Sequence, residues 1–456
     1  MADALQETHT STLLFLDDRV YKRKKPLDLG FSDFRDVEAR RRACEAEVQL
    51  NSRLSPDVYE GVAEVFGPDG TLWDALVVMR RLPEASSLGQ LVRQGSDVRE
   101  ALRSTAEQLA RLHQQAPLPA DRQHLLHARH LHELWRGGVD VLAAHPGAVP
   151  SSLTAALGAL GHSWIDDHAP LLEARSGVDG HGDLLADDIF VLPDGVRVLD
   201  CLEFDDDLRA VDGLHDACAL VADLHCLGAH DLAEVFLADY RRASGDSAPR
   251  SLAEFYVAYR TLVRAKVLCL RADQGDEGAP AQALLRAVLC RHHLESAAGH
   301  VVLVGGLPGT GKTSVASALA ARQGWTRVSS DDERPDSHYS VSDRDQVYAA
   351  MLTRTSELLA AGRDVVLDAT FAHARWRAAA AALAAERHAA LSQLRCTAPR
   401  ETAHERIRAR RDSTSEATPA VHDALTSEWE DWPDAVEVDG TLPPDEMLSR
   451  ALAAVR

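Results

Sequence analysis

Residues 306–313 of this chain read Gly306-Leu307-Pro308-Gly309-Thr310-Gly311-Lys312-Thr313. An apolar run, 300–304, precedes this segment, and a run of helical periodicity, 312–323, follows it. Glycines let backbone N–H groups close around phosphate oxygens, the lysine reaches the outer phosphates, and the threonine hydroxyl ligates Mg²⁺. The segment therefore predicts a loop between a strand and a helix that binds a nucleoside triphosphate, ATP or GTP. The residues expected to bind it are Gly306, Gly309, Gly311, Lys312, Thr313 and Ser314.

Two carboxylates follow apolar runs in the same C-terminal part. Asp368 ends the run 365–367, and its position at the end of a buried strand suits a ligand of Mg²⁺ or of its water shell. The alternative role for Asp368 is a helix N-cap. Asp331 follows 328–330 and is expected to act as a base or to orient an acceptor hydroxyl, unless it or Asp332 merely begins a turn.

Arginines occupy one helical stretch further on. Arg406 and Arg410 are one turn apart, with Arg411 beside them, and could close over phosphates as a lid. A solvated helix face is the alternative interpretation.

Four motifs together give the C-terminal part a family resemblance. They are GLPGTGKT at 306–313, SSD at 329–331, VVLDAT at 365–370 and the arginine segment near 406–411. Residues 299–440 resemble the small-molecule and nucleoside-kinase branch of P-loop proteins (AAA family ATPase-like), which includes gluconate-kinase-like, zeta-toxin-like and polynucleotide-kinase-like enzymes. The resemblance implies phosphoryl transfer and leaves the acceptor open.

The N-terminal part carries a second set of carboxylates. Asp183 lies in His181-Gly182-Asp183-Leu184, Asp188 precedes an apolar run, and Asp200 ends the run 198–199 after a turn. A carboxylate on a tight turn can take the proton of an attacking hydroxyl, and two more can hold Mg²⁺ against ATP phosphates. We therefore expect Asp183 to be the catalytic base and Asp188 and Asp200 to be metal ligands.

Such a site also needs a lysine on a strand and a glutamate on the next helix to hold the phosphates. Lys22 or Lys24 supplies the first, because both lie on one face of a predicted strand. Glu47 is preferred to Glu45 for the second, because apolar residues three and seven positions on place it beside a buried stripe. Met79 lies in 77–82, which we expect to link two lobes and to offer backbone groups to adenine.

These motifs make residues 10–290 similar to the aminoglycoside phosphotransferase-like branch of the protein-kinase-like fold. Longer segments, including YKRKKP and VLDCLEFDDDLRAVDGLHD, resemble a bacterial subgroup fused to a C-terminal P-loop kinase domain. Three features depart from the family. The loop 10–19 has no glycine, Asp188 replaces the usual asparagine, and Cys201 replaces the usual aromatic residue.

The predicted fold class is α/β and α+β. A bilobal protein-kinase-like domain, 1–292, precedes a P-loop domain with a parallel α/β sheet, 298–456.

Charge near the N-terminal site leaves the acceptor open. The acidic segment 203–207 favours a cationic acceptor such as an amino sugar, or is a solvated loop. Arg260 and Arg264 could instead meet an anionic group, and His215 and Asp216 are expected to support the catalytic loop.

Composition excludes several classes of protein. The net charge of −21 disfavours a nucleic-acid partner, and no apolar run reaches membrane-spanning length. The 7 cysteines form no CxxC pair, and the N-terminus lacks a signal-peptide pattern, so we expect free thiols and a cytoplasmic protein. The 21 histidines show no zinc-ligand spacing.

The sequence thus predicts an ATP-dependent phosphotransferase that modifies a hydroxyl of a small molecule, such as a sugar, amino sugar or aminoglycoside, with a second P-loop site. The first alternative is a nucleotide-gated regulatory protein with one silent domain. The second is a toxin-like kinase of a cell-wall precursor, held in check by its partner domain. The oligomeric state is left open.

Overall fold

The computed structural model describes residues 5–7, 11–27, 33–333, 341–409 and 418–455. The chain forms two compact units. The first comprises Met1–Ala159, Leu172–Ala248 and Phe255–His293, and the second comprises Leu160–Leu171, Pro249–Glu254 and Leu294–Arg456. The second unit therefore includes two short segments that the sequence analysis placed in the N-terminal domain.

The first unit begins with a five-stranded antiparallel sheet in the order β1-β2-β3-β5-β4. Its strands are β1 (Leu5–Glu7), β2 (Ser11–Leu16), β3 (Arg19–Lys24), β4 (Tyr59–Phe66) and β5 (Leu72–Arg80). Helix α1 (Val37–Asn51) begins at Asp36, whose side chain accepts a hydrogen bond from the Ala39 N–H. Cys44 of α1 packs with Val58, Ala75 and Val77 in the core of this sheet.

The segment 77–82, predicted to link two lobes, is mostly the end of strand β5. Strand β5 continues to Arg80, and Met79 pairs with Val20 of β3. Residues 77–80 are therefore part of the sheet, and only 81–82 of the predicted link lie outside it. A continuous apolar run gives no periodicity from which to place its ends.

The rest of the first unit is mostly helical. Its helices are α2 (Leu88–Arg93), α3 (Arg99–Gln115), α4 (Ala128–Ala144), α5 (Ser151–Asp167), α6 (Ala169–Glu173), α7 (Asp206–Arg209), α8 (Gly213–Cys226), α9 (His230–Ser244), α10 (Arg250–Asp273) and α11 (Ala279–Ala297). Parts of α5, α6, α10 and α11 lie in segments counted with the second unit. Short strands β6 (Gly177–Asp179) and β9 (Ala210–Asp212) pair with each other, and β7 (Ile189–Leu192) and β8 (Gly195–Val198) form a hairpin.

The second unit contains a five-stranded parallel sheet in the order β11-β12-β10-β13-β14, which confirms the predicted parallel α/β architecture. Its strands are β10 (His300–Gly305), β11 (Thr326–Ser329), β12 (Val365–Asp368), β13 (Ala390–Thr397) and β14 (Val436–Asp439). Its helices are α12 (Lys312–Gln323), α13 (Val341–Ala360), α14 (Ala374–Glu386), α15 (Arg400–Ala409), α16 (Pro419–Ser427) and α17 (Pro444–Ala454).

Alternation along β10 explains why this sheet is buried on both faces. Val301 and Leu303 lie in one apolar core, and Val302 and Val304 lie in the other. Successive side chains of a strand point to opposite faces, so a continuous apolar run suits a sheet covered by helices on both sides.

In the part of the chain that the structure describes, no helix combines the length and the apolarity needed to cross a membrane.

Candidate functional site

The glycine-rich loop of the second unit connects the end of β10 to the first residue of α12, Lys312. Gly306 has φ 149° and Gly309 has φ 86°. A Cβ on Gly306 would lie 2.5 Å from the Cys396 carbonyl oxygen, and one on Gly309 would lie 2.5 Å from that of Ala403. The loop therefore needs glycine at both positions, and it ends at a helix N-terminus that attracts anions.

Asp368 lies next to the first turn of α12. The Thr313 hydroxyl donates to one oxygen of its carboxylate at 3.4 Å, and the Arg327 guanidinium donates to the other at 2.9 Å. Burial raises the pKa of Asp368, while the charges of Lys312 and Arg327 oppose that rise. The N-cap of α14 is His373, so Asp368 does not start that helix.

Asp331 and Asp332 follow the end of β11 at the same edge of the sheet. Asp332 pairs with Arg327 at 3.3 Å, and the Asp331 N–H donates to the Ser329 hydroxyl at 3.3 Å. Arg327 thus connects Asp332 to Asp368. The sequence analysis missed this arginine, because nothing in its local sequence distinguishes it from other surface cations.

Arg406 reaches the glycine-rich loop from α15. It donates to the Gly440 carbonyl at 2.9 Å and to the Gly309 carbonyl at 3.4 Å, so it is not on a purely solvated face. A cavity of about 460 Å³ opens beside it, lined by Ser314 of α12 and Met447 of α17. Arg410 and Arg411 lie outside the described residues.

The first unit brings the predicted lysines and glutamate together. Glu47 is 0% exposed, and its carboxylate lies 2.8 Å from the Lys22 ammonium and 2.6 Å from that of Lys24. Burial alone would raise the pKa of Glu47, but the two lysines hold it below its usual value. Glu45 instead pairs with Arg41 at the surface.

The two lysines differ in their second partners. Lys22 lies 2.8 Å from Asp200, and Lys24, which is 1% exposed, pairs with Glu203. The charge of Lys22 lowers the pKa of Asp200 to about 2. Lys22 therefore connects the predicted glutamate to the predicted metal ligand, and Lys24 ties the acidic segment to the sheet.

Asp188 lies just before β7, close enough to Asp183 and Asp200 for their charges to act on its carboxylate. Its burial, and then the charges of Asp200 and Asp183, raise its pKa well above the usual range. Carboxylates are the oxygen ligands that Mg²⁺ prefers, and a divalent cation would relieve the repulsion among them. This donor set fits Mg²⁺.

A buried network holds the loop that carries Asp183. As predicted, Asp216 supports this loop, because its carboxylate accepts from the backbone N–H groups of His181 at 2.7 Å and Gly182 at 2.8 Å. His113 contacts the same carboxylate at 2.9 Å. Burial alone would raise the pKa of Asp216, but the hydrogen bond and charge of His113 and the charge of Arg260 hold it well below its usual value. Arg260 adds a hydrogen bond to the Gly182 carbonyl at 2.5 Å.

The charged groups around Asp183 are largely paired. Arg264 donates to Asp183 at 2.6 Å, and Arg260 donates from Nη1 to the Gly182 carbonyl, while its buried Nη2 has no hydrogen-bond partner among the described residues. In the acidic segment, Asp206 pairs with Arg209, and Asp207 pairs with Arg122. The segment is therefore not an unpaired acidic patch awaiting a cationic acceptor.

The second unit is a P-loop domain of the AAA class. Residues 301–431 match the AAA domain family, which confirms the C-terminal part of the predicted fusion. Over 98% of its length the chain is 37% identical to the uncharacterized proteins Rv2004c of Mycobacterium tuberculosis and Mb2027c of Mycobacterium bovis, covering 94% of each. The chain belongs to the same family as these mycobacterial proteins.

Solved structures that are similar to this chain cover about a third of it. A sugar kinase from Janibacter sp. is 19% identical, with a TM-score of 0.29, over 34% of this chain and 94% of that one. A gluconokinase from Sinorhizobium meliloti is 23% identical, with a TM-score of 0.29, over 34% and 90% respectively.

Proposed function

We propose that this protein is an ATP-dependent phosphotransferase that acts on a hydroxyl of a small molecule in its first unit. The first unit would have the bilobal protein-kinase-like fold, and the second unit would hold a further kinase-type nucleotide site. The observation that carries the proposal is the ion pairing of Lys22 with Glu47 and Asp200. Three distant segments of the chain supply these residues, and together they match what a kinase needs to hold ATP phosphates.

In the first unit, Lys22 would contact the phosphates, and Asp188 and Asp200 would hold Mg²⁺. Bound there, Mg²⁺ supplies positive charge against the charge that develops on the transferred phosphoryl group. The acceptor oxygen forms a bond to the γ-phosphorus as the bond to the β–γ bridging oxygen breaks, and ADP leaves. Asp183 takes the acceptor proton, with Arg264 positioning its carboxylate.

In the second unit, the loop glycines and Lys312 would hold the phosphates of ATP or GTP. Thr313 and Asp368, which are hydrogen-bonded to each other, would hold Mg²⁺. Arg406 would contact the phosphates from α15, and Asp331 would face an acceptor. The acceptors would be cytoplasmic small molecules, and no nucleic acid would bind.

The test is transfer of labelled γ-phosphate from ATP to a panel of alcohols, sugars and aminoglycosides. Asp183→Asn should lower transfer at the first site by about 10²–10⁴-fold, as expected for loss of a general base. Asp187→Asn is the matched control, because Asp187 is four residues away and pairs with Arg93 at the surface. Equal activity of the two variants would reject Asp183 as the base.

A nucleotide-gated regulatory role is the second candidate. The observation that favours it is that an arginine pairs with a carboxylate in each site, Arg264 with Asp183 and Arg327 with Asp368. Lys312→Ala distinguishes the two functions. Loss of all transfer, including that to the first-unit acceptor, would support gating, whereas loss of only part of the activity would support two independent sites.

A further inference from the structure

A cavity of about 320 Å³ adjoins Asp183 inside the first unit. Its volume lies at the lower end of the range for small-molecule sites, about 300–1,000 Å³. Most of its wall is apolar, and examples from three segments are Leu131, Leu134, Phe204, Val263, Val267 and Leu270. Val267 is 37% exposed and Leu270 is 41% exposed, so the apolar lining extends to solvent.

Most of the charged groups of this cavity are already paired within the chain, and the Lys266 ammonium, which also lines it, would repel a cationic ligand. Asp207 is bound by Arg122, Arg264 by Asp183, and Arg260 by the Gly182 carbonyl. A polycationic ligand would have to break the Asp207 pair to gain a partner, and its own charges would lose their water against leucine and valine side chains. Desolvation of unpaired charge is strongly unfavourable.

His215 belongs to the lining of the cavity and stacks on Tyr256, with 4.7 Å between the ring centroids. Its side chain lines the cavity, the residue is 5% exposed, and its Nε2 has no hydrogen-bond partner among the described residues. Burial and the charge of Arg260 lower the pKa of His215 well below the usual range, so the imidazole is neutral. The Nε2 atom itself has almost no accessible surface, so His215 adds no hydrogen-bonding nitrogen at this position to the cavity wall.

We propose that the acceptor at this site is an uncharged alcohol with a predominantly apolar carbon skeleton, such as a terpenoid or aryl alcohol. Its hydroxyl lies at Asp183, and its skeleton lies against the leucine and valine side chains. Sugars and aminoglycosides are excluded as preferred acceptors. This inference rests on the proposed phosphotransferase function of the first unit and narrows its acceptor class.

The experiment measures binding first and transfer second, with the full chain. Calorimetric titrations in Mg²⁺ and a non-hydrolysable ATP analogue compare geraniol and 2-naphthaleneethanol with glucosamine and kanamycin. The same four compounds are then assayed for transfer from labelled ATP. Leu270→Asp and Val267→Asp place a charge at the cavity, and Leu285→Asp is the control, because Leu285 is an exposed leucine of α11 away from the cavity lining.

The apolar alcohols should bind to wild type and accept phosphate, and Leu270→Asp and Val267→Asp should each weaken their binding about tenfold or more. Leu285→Asp should leave it unchanged. The acceptor class would be wrong if glucosamine or kanamycin is bound and phosphorylated and Leu270→Asp changes neither. That result would leave the phosphotransferase function in place. Binding of the apolar alcohols that depends on Leu270, without transfer to any compound, would support the cavity assignment and reject the phosphotransferase function.

Discussion

Replacing each of the two buried lysines by methionine should separate a stabilising role from a phosphate-binding role. Lys24 is 1% exposed and is paired with Glu47 and Glu203, so Lys24→Met leaves Glu203 without its lysine and Glu47 with Lys22 alone. Removing one partner of a buried ion pair lowers the free energy of unfolding by about 3–5 kcal/mol. For a unit of this size, whose unfolding entropy is about 0.6 kcal/mol per kelvin, that corresponds to a fall in Tm of roughly 5–9 °C.

Lys22 is more accessible and lies beside Asp200, where ATP phosphates are proposed to bind. Lys22→Met should therefore lower the rate of transfer by about 10²–10³-fold, as for loss of a charged group that stabilises a transition state. The free energy of unfolding should fall less than in Lys24→Met. Lys22 is more exposed than Lys24, and Lys24 still neutralises Glu47 after the change.

Differential scanning calorimetry of the full chain and the transfer assay measure the two effects side by side. The chain has two units, so two transitions are expected, and only the one belonging to the first unit should move. Stability that is unchanged in Lys24→Met, or equal losses of transfer in both variants with no difference in Tm, would refute this division of roles.

Three further predictions follow from the geometry. Gly309→Ala should abolish nucleotide binding to the second unit in calorimetric titration, because the new Cβ would meet the Ala403 carbonyl oxygen at a φ of 86°; retained binding would contradict the need for glycine. Asp216→Asn should lower transfer at the first site while leaving nucleotide affinity close to wild type, because the carboxylate holds the backbone of the loop carrying Asp183; an equal loss of both would indicate general unfolding instead. His215→Phe should flatten the fall in stability on acidification. The pKa of His215 is depressed in the folded state, so the unfolded chain takes up a proton below about pH 6.5 that the folded chain does not, which weakens the wild type by about 1.4 kcal/mol per pH unit until the folded pKa is reached. Thermal unfolding between pH 7.5 and 5 measures this, and parallel curves for the two proteins would exclude the effect.

Local motifs and periodicity were enough to predict the parallel sheet, the loop at 306–313 and the turn before the run 198–199. Each depends on contacts close in sequence or on an apolar pattern of definite period. Period two also placed Lys22 and Lys24 on one strand face, where both now meet Glu47.

Motifs and periodicity could not predict the second ion-pair partners of Lys22 and Lys24. Lys24 pairs with Glu203, which is 179 positions away, and only tertiary packing brings the two together. The sequence showed the acidic segment as a run of negative charge, and it could not show that Lys24, Arg209 and Arg122 neutralise most of it. Consequently the charge pattern favoured a cationic acceptor, whereas the cavity beside Asp183 is mainly apolar.

The shared contacts of Glu47 also constrain how this family can diverge. A single change at Glu47 or Lys24 removes one partner of an ion pair with little access to water, whereas a change at Lys22 is milder because Lys24 still contacts Glu47. Replacements that keep the unit folded must therefore arise together or in an order in which each compensates for the last. A protein can accept the first of them only if its free energy of unfolding is large enough to absorb the loss. Evolution at these three positions should be slow and concerted, even in relatives whose acceptor has changed.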